Sequence, residues 1–201
     1  MPKSDNETQF LAILLSMLSL NFSPFPQLTT DRLLLRQMTM DDAATIYRLR
    51  SDEQVMKYIP RPLTKTIEDA KMWVETILET IQKNEAVNWA ICLKENPAAH
   101  IGNIGFWHIQ KEHYRAEIGY MLHPSCYGKG IMLEAMQEAL QYGFNVMHLH
   151  SVEALVDPGN IASINLLLKA GFQQEGYLKE NCFFEGKFLD TVVFSLLSPA
   201  K

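Results

Sequence analysis

Ala116 to Gln141 reads AEIGYMLHPSCYGKGIMLEAMQEALQ and divides without slack into a strand, a glycine loop and a helix. Ala116 to Leu122 has the apolar weight of a strand inside a mixed sheet, and His123-Pro124 ends it because proline has no N–H for the ladder. Tyr127-Gly128-Lys129-Gly130 follows. Two glycines one residue apart remove the side chains that would hold a ligand off the backbone. The helix beyond them points its unpaired first-turn N–H groups at the same place. Such a corner is an anion site if a ligand uses it, and otherwise a tight strand-to-helix turn. Met132, Met136, Leu140 and Phe144 recur along one face of the helix with Ala135 and Ala139 beside them, while Gly143 weakens its end.

Neither common nucleotide fingerprint fits this loop. The P-loop needs G-x-x-x-x-G-K-S/T and the dinucleotide fold needs G-x-G-x-x-G, but Leu133 stands where the third glycine would be. A second stretch narrows the choice. Asn160-Ile-Ala-Ser163-Ile-Asn-Leu166-Leu-Leu-Lys169-Ala-Gly171-Phe172 predicts a short amphipathic helix, capped by Asn160 and stopped by Gly171.

In this order the two stretches resemble the GNAT superfamily of acyl-CoA N-acyltransferases. The first is similar to that family's pyrophosphate loop, Q/R-x-x-G-x-G/A, and the second to its helix N-x-x-A/S-x-x-L-x-x-x-x-G-F. Thr30-Asp31-Arg32-Leu33-Leu34-Leu35-Arg36, Ala116-Glu117-Ile118-Gly119-Tyr120, Glu175-Gly176 and Gly186-Lys-Phe-Leu-Asp190 resemble the Rim-type branch, which holds acetyltransferases of ribosomal-protein N-termini. The likeness runs from about Phe25 to Leu197. Ser125 stands where many members carry Gln or Arg, and Leu167 where several place a tyrosine acting as general acid.

The resemblance implies an α/β fold, a mixed and mostly antiparallel sheet flanked by helices, with acetyl-CoA as co-substrate and no metal. The donor's pyrophosphate would sit on the N–H groups of Tyr127, Gly128, Lys129, Gly130, Ile131 and Met132, with Lys129 adding positive charge. Its peptide-like pantetheine arm would pair with a strand edge where the family's sheet splays beside Glu117–Leu122. Gly119 fits a bulge or close backbone approach there, and an N–H near Met121 or Leu122 would polarise the thioester carbonyl. Direct transfer needs a route for the acceptor's ammonium proton and a proton for the leaving thiolate. Glu117 is the candidate base, against a plain strand residue facing solvent or Arg115. Ser163 is the candidate beside the sulfur, against a helix serine bonding its own backbone. Asn160 would cap its helix and also bond the pantetheine.

Composition sets the bounds. The 201 residues, 47% apolar and 20% charged, suit one soluble domain, and a net charge of −5 disfavours a nucleic-acid binder while suiting a cationic amine acceptor. Cys92, Cys126 and Cys182 form no C-x-x-C pair, so no disulfide framework or cysteine zinc site is expected, and a cytoplasmic setting fits. His100, His108, His113, His123, His148 and His150 make no H-x-x-x-H with a nearby acid and read as surface or core-edge residues. No G-x-S-x-G elbow is present, which disfavours a serine hydrolase. Trp73, Trp89 and Trp107 read as core.

Residues 1–21 form an extension to the acyltransferase domain expected over 22–201. Phe10–Leu20 is apolar but, at eleven residues, too short for a bilayer that needs about twenty. Ser4-Asp-Asn-Glu7 has the form of a capping box, so one helix is expected from about Asp5 to Leu20, packed against this chain or a second copy in a homodimer. Asn21–Gln27, with two prolines, reads as a linker. Further strands are expected at Arg32–Met38, Val87–Leu93, His100–Ile109, His113–Leu122, Val152–Val156, Phe172–Leu178 and Asp190–Leu197. Helices are expected after Thr39 and over Thr66–Lys83, with a hairpin turn at Glu185-Gly186.

The expectation is therefore an N-acetyltransferase acting on a small-molecule amine or a peptide N-terminus. Two other classes stand beside it: an acyl-CoA-binding sensor or scaffold without turnover, and an assembly or membrane-surface module built on the N-terminal helix.

Overall fold

The computed structural model describes residues 17–199. Among them eight strands form one sheet in the order β1-β2-β3-β4-β5-β6-β8-β7. They are β1 (Leu28–Thr29), β2 (Leu33–Gln37), β3 (Val87–Leu93), β4 (Asn96–Gln110), β5 (Arg115–Leu122), β6 (Ser151–Val156), β7 (Gln173–Phe184) and β8 (Lys187–Leu197). The helices are α1 (Ala43–Arg50), α2 (Glu53–Met56), α3 (Ile67–Gln82), α4 (Ile131–Asn145) and α5 (Ile161–Lys169). Neighbouring strands are antiparallel except β5 and β6, whose connection crosses over through α4, as a parallel pair requires.

While β7 is exposed along most of its length, both faces of the sheet are covered around β3–β5. On one, the Trp89 ring meets Tyr142 of α4 edge-on at 5.4 Å, and a Cβ on Gly143 would come within 2.8 Å of the Phe106 ring. Gly143 is thus the point where α4 and β4 approach too closely for any side chain, and the helix continues past it. On the other face Met121 packs with Leu49, Val55 and Met56 of α1 and α2, and α3 lies on α1 with Ala70, Val74, Ile77 and Ile81 buried. Trp89 is fully buried, whereas Trp73 and Trp107 are only partly so.

The helix expected from Asp5 to Leu20 lies mostly outside the described residues, and its described end, Met17–Leu20, is not helical. Leu18 is buried with its N–H on the Lys111 carbonyl at 3.1 Å, and Phe22 is buried with its N–H on Asn84 Oδ1 at 2.7 Å. The expected linker is therefore a packed strap, and the Pro26 carbonyl accepts the Trp89 indole N–H at 2.6 Å. Its apolar side chains enter the core singly from irregular backbone, which helical periodicity does not register.

The final hairpin is longer than its apolar pattern suggests. β7 and β8 both reach the Glu185-Gly186 turn, where φ is +47° and +78°, the positive pair of a type I′ corner. A register shift between Leu178 and Cys182 breaks the alternation, so the distal half gives no two-residue signal.

One feature of the register positions the site. β5 pairs with β6 only at Arg115–Ser151, Ala116–Val152 and Glu117–Glu153, while β6 stays paired with β8 as far as Val156. From Ile118 onward β5 keeps β4 on one side and has a gap on the other.

Candidate active site

The gap opens towards the glycine loop. Gly128 and Gly130 have φ of +71° and +73°, a conformation that side chains with a Cβ adopt at a cost. Gly130 is also the N-cap of α4 and offers no side-chain cap to the first-turn N–H groups, whereas Asn160 Oδ1 accepts the Ser163 N–H at 3.1 Å to cap α5. Tyr127, Gly128, Lys129 and Gly130 are exposed, and Ile131 and Met132 bury their side chains beneath them. A Cβ on Gly128 would meet nothing within 4 Å, so the loop faces open space on that side. An uncapped helix start behind two open glycines is a cradle that fits a pyrophosphate.

The back of the cradle is a residue the sequence reading gave no role. Arg32 donates from Nη1 to the Lys129 carbonyl at 3.0 Å and from Nε to Glu134 Oε2 at 2.6 Å. The other Glu134 oxygen accepts the Thr30 hydroxyl at 2.5 Å and the Arg32 backbone N–H at 3.0 Å. Partial burial works against the charged form of Glu134. The hydrogen bonds from Thr30 and Arg32 outweigh it and hold the carboxyl below its ordinary value. Lys129, the expected cation, is exposed at the loop tip; the cation tied to the loop backbone is Arg32. Only its place in the Thr30–Arg36 stretch marked it beforehand.

Inside the gap the Tyr120 and Ser163 hydroxyls share a hydrogen bond of 2.6 Å, which joins β5 to the first turn of α5. Burial pushes the Tyr120 phenol up to about 12, against the opposing pull of that bond. Leu167, at the position of the family tyrosine, is fully buried in the core. Tyr120 is thus a second hydroxyl beside Ser163, and nothing in its sequence spacing marked it.

Glu117 lies on the opposite face of β5 from Tyr120, because the two are an odd number of residues apart in a strand. Its partner is neither solvent alone nor Arg115. Arg115 pairs with Glu153 at 2.5 Å, and Glu117 Oε2 lies 2.7 Å from His108 Nδ1. The two expected catalytic residues, Glu117 and Ser163, are therefore not in one cluster but flank the gap from its two faces. Met121 and Leu122 end β5 with buried side chains. No bulge occurs at Gly119: a Cβ there would meet the Trp107 indole at 3.2 Å, so the glycine makes room for that ring. The irregularity lies in β4 instead, between Trp107 and Gln110.

A parallel pair that parts beside an uncapped glycine loop is the arrangement that the resemblance to the GNAT acyltransferases implies. The family model described as an acetyltransferase (GNAT) domain matches residues 32–173, and the chain belongs to that family as an acyl-CoA-dependent N-acetyltransferase. It is 37% identical over 175 residues to the uncharacterized N-acetyltransferase YoaA of Bacillus subtilis, covering 87% of this chain and 98% of that one. The crystal structure of a GNAT-family acetyltransferase from Bacillus anthracis superposes with a TM-score of 0.77 at 30% identity, over 86% of this chain and 99% of the other. At 26% identity stand two Escherichia coli relatives, spermidine N(1)-acetyltransferase (79% of this chain, 82% of that one) and ribosomal protein uS5-alanine N-acetyltransferase (88% and 93%). Among the described residues no helix is long and apolar enough to cross a membrane, and no three His, Cys, Asp or Glu side chains are grouped to hold a metal.

Proposed function

We infer that this protein transfers an acetyl group from acetyl-CoA to a primary amine, a small polyamine-like molecule or a peptide N-terminus, by direct attack in a ternary complex. The observation that carries this is the end of β5–β6 pairing at Glu117 beside the uncapped loop of Gly128 and Gly130. The loop N–H groups and Arg32 would hold the pyrophosphate, and the free edge of Ile118–Leu122 would take the pantetheine amides. An N–H of Met121 or Leu122 would face the thioester oxygen. Asn160 and Ser163 line the α5 side.

The acceptor's nitrogen must be neutral to attack. Glu117 takes the ammonium proton from one face of the gap, and Ser163 with Tyr120 supplies a hydroxyl near the departing sulfur on the other. The demand on Glu117 depends on the acceptor. A peptide α-amine titrates at about 7.7–8.0, but an alkylamine near 10.4 must be deprotonated at a cost of about 3.4 kcal/mol more. The two named relatives act on these two kinds of amine, and the net charge of −5 favours either over an anionic acceptor.

The test is thiol release from acetyl-CoA with a panel of polyamines and peptides, with mass detection of the product. An acetylated amine formed in step with free CoA is expected. CoA binding without amine-dependent release would instead indicate a sensor or scaffold.

A further inference from the structure

We propose that His108 is the outlet through which Glu117 passes the acceptor's proton to solvent. This rests on the reading of Glu117 as the base.

The backbone is shaped to make this contact. Trp107 lies opposite Glu117 and Gln110 opposite Arg115, so His108 and Ile109 together face the single residue Ala116. In an unbroken register His108 would stand opposite Ala116 with its side chain on the far face of the sheet from Glu117. The extra residue and a φ of +45° at His108 bring the imidazole round to the Glu117 side, where Nδ1 lies 2.7 Å from Oε2. Bulges re-aim side chains in this way and concentrate beside active sites. A left-handed backbone at a residue other than glycine persists only where its surroundings impose it.

Exposure gives the contact a direction. The Glu117 side chain is 21% exposed and the His108 side chain 74%, so the pair runs from a largely covered carboxylate beside the gap to water. Of the charges nearest Glu117 on this side, Arg115 and Glu153 are engaged with each other, and Glu175 beyond them accepts the Ser195 hydroxyl.

The protons balance. The ammonium gives one proton to the Glu117 carboxylate, which becomes a neutral acid, and that proton moves to His108 Nδ1. The transfer uses the Nε2–H tautomer of the exposed ring; the imidazolium then gives its Nε2 proton to water, the carboxylate is restored, and the ring regains the Nε2–H tautomer through solvent. The neutral amine then forms the N–C bond as the C–S bond breaks, and the proton lost from nitrogen goes to the thiolate. His108 acts through its contact with Glu117, so it is a positioning and relay residue.

Steady-state turnover of the full-length chain with acetyl-CoA tests this, using spermidine and an alanine-initiated peptide as acceptors. His108→Gln can still hydrogen-bond to the carboxylate but cannot carry the proton, and its kcat should fall about tenfold or more with KM for acetyl-CoA unchanged. His108→Ala should fall similarly and recover with added imidazole. Wild-type kcat in His108→Gln, or a loss in His108→Ala that imidazole does not restore, would overturn the relay. If Glu117→Gln itself turns over at the wild-type rate, or the wild type acetylates neither acceptor, the underlying reading fails and the relay with it. A slow Glu117→Gln beside a fast His108→Gln removes the relay alone.

Discussion

The phenol of Tyr120 and the hydroxyl of Ser163 meet at 2.6 Å and tie β5 to α5 across the gap where β5 and β6 part. Ser163→Ala should lower turnover to the same extent across the pH range, because a neutral hydroxyl does not titrate there. Tyr120→Phe leaves Ser163 without that partner and should cost about 1 kcal/mol of stability as well as rate. Rate profiles of both variants, after checks of folding and CoA affinity, measure this.

Tyr120 also carries an alkaline signature. Its folded value is raised to about 12. The protonated form is thus favoured in the native state, and nothing is lost below the unfolded value near 10. Above it the unfolded chain ionises while the native phenol does not, so stability falls by an amount on the order of 2–3 kcal/mol before levelling past the folded value. Denaturant titrations across that window should be flatter in Tyr120→Phe.

Arg32 holds the loop by its Lys129 carbonyl and is itself held by Glu134. Arg32→Ala should weaken CoA binding severalfold, about 1 kcal/mol, with little change in melting temperature. Arg32→Lys should not restore it, since an ammonium cannot engage carbonyl and carboxylate together in fixed geometry. Calorimetry with CoA checks both variants.

Much of this arrangement was legible beforehand because it is local. The strand, loop and helix of Ala116–Gln141, the Asn160 cap and the Gly171 stop follow from glycine, proline and capping chemistry within a few residues. Arg32, Tyr120 and His108 were not legible as site residues because each acts across the fold. Arg32 reaches a loop 97 residues away and Tyr120 a helix 43 away. His108 reaches Glu117 only through a bulge that no periodicity announces. Leu18 and Phe22 were hidden for the same reason.

Asp42 is buried against Arg36, which donates from Nη1 and Nη2 at 2.8 and 2.7 Å. Burial opposes its charge, but the bonds from Arg36 and the Thr39 N–H, with the His100 ring close by, prevail and hold the carboxyl far below the usual range. Its stabilisation is present above the unfolded value near 3.9 and is lost as pH falls from there towards the folded value. Asp42→Asn should cost about 3 kcal/mol near neutrality and blunt the acid limb of a pH–stability curve.

The strap makes a separate claim. Leu18 is buried in the main core, so Leu18→Ala should cost about 2–3 kcal/mol, and deletion of Met1–Asn21 at least as much. Equal melting of the truncated and full chains would show Leu18 and the chain before it to be incidental to stability.

The most direct measurement is calorimetry of CoA with folded Gly130→Val. The branched side chain enters a loop position where φ is +73° and disturbs the N-cap whose N–H groups are to hold the pyrophosphate. CoA affinity should fall by tenfold or more, about 1.4 kcal/mol or above, in a protein that still folds around the same core but melts somewhat lower, because valine is strained at that positive φ. A folded Gly130→Val protein that binds CoA as tightly as wild type would contradict the placement of the donor on this loop.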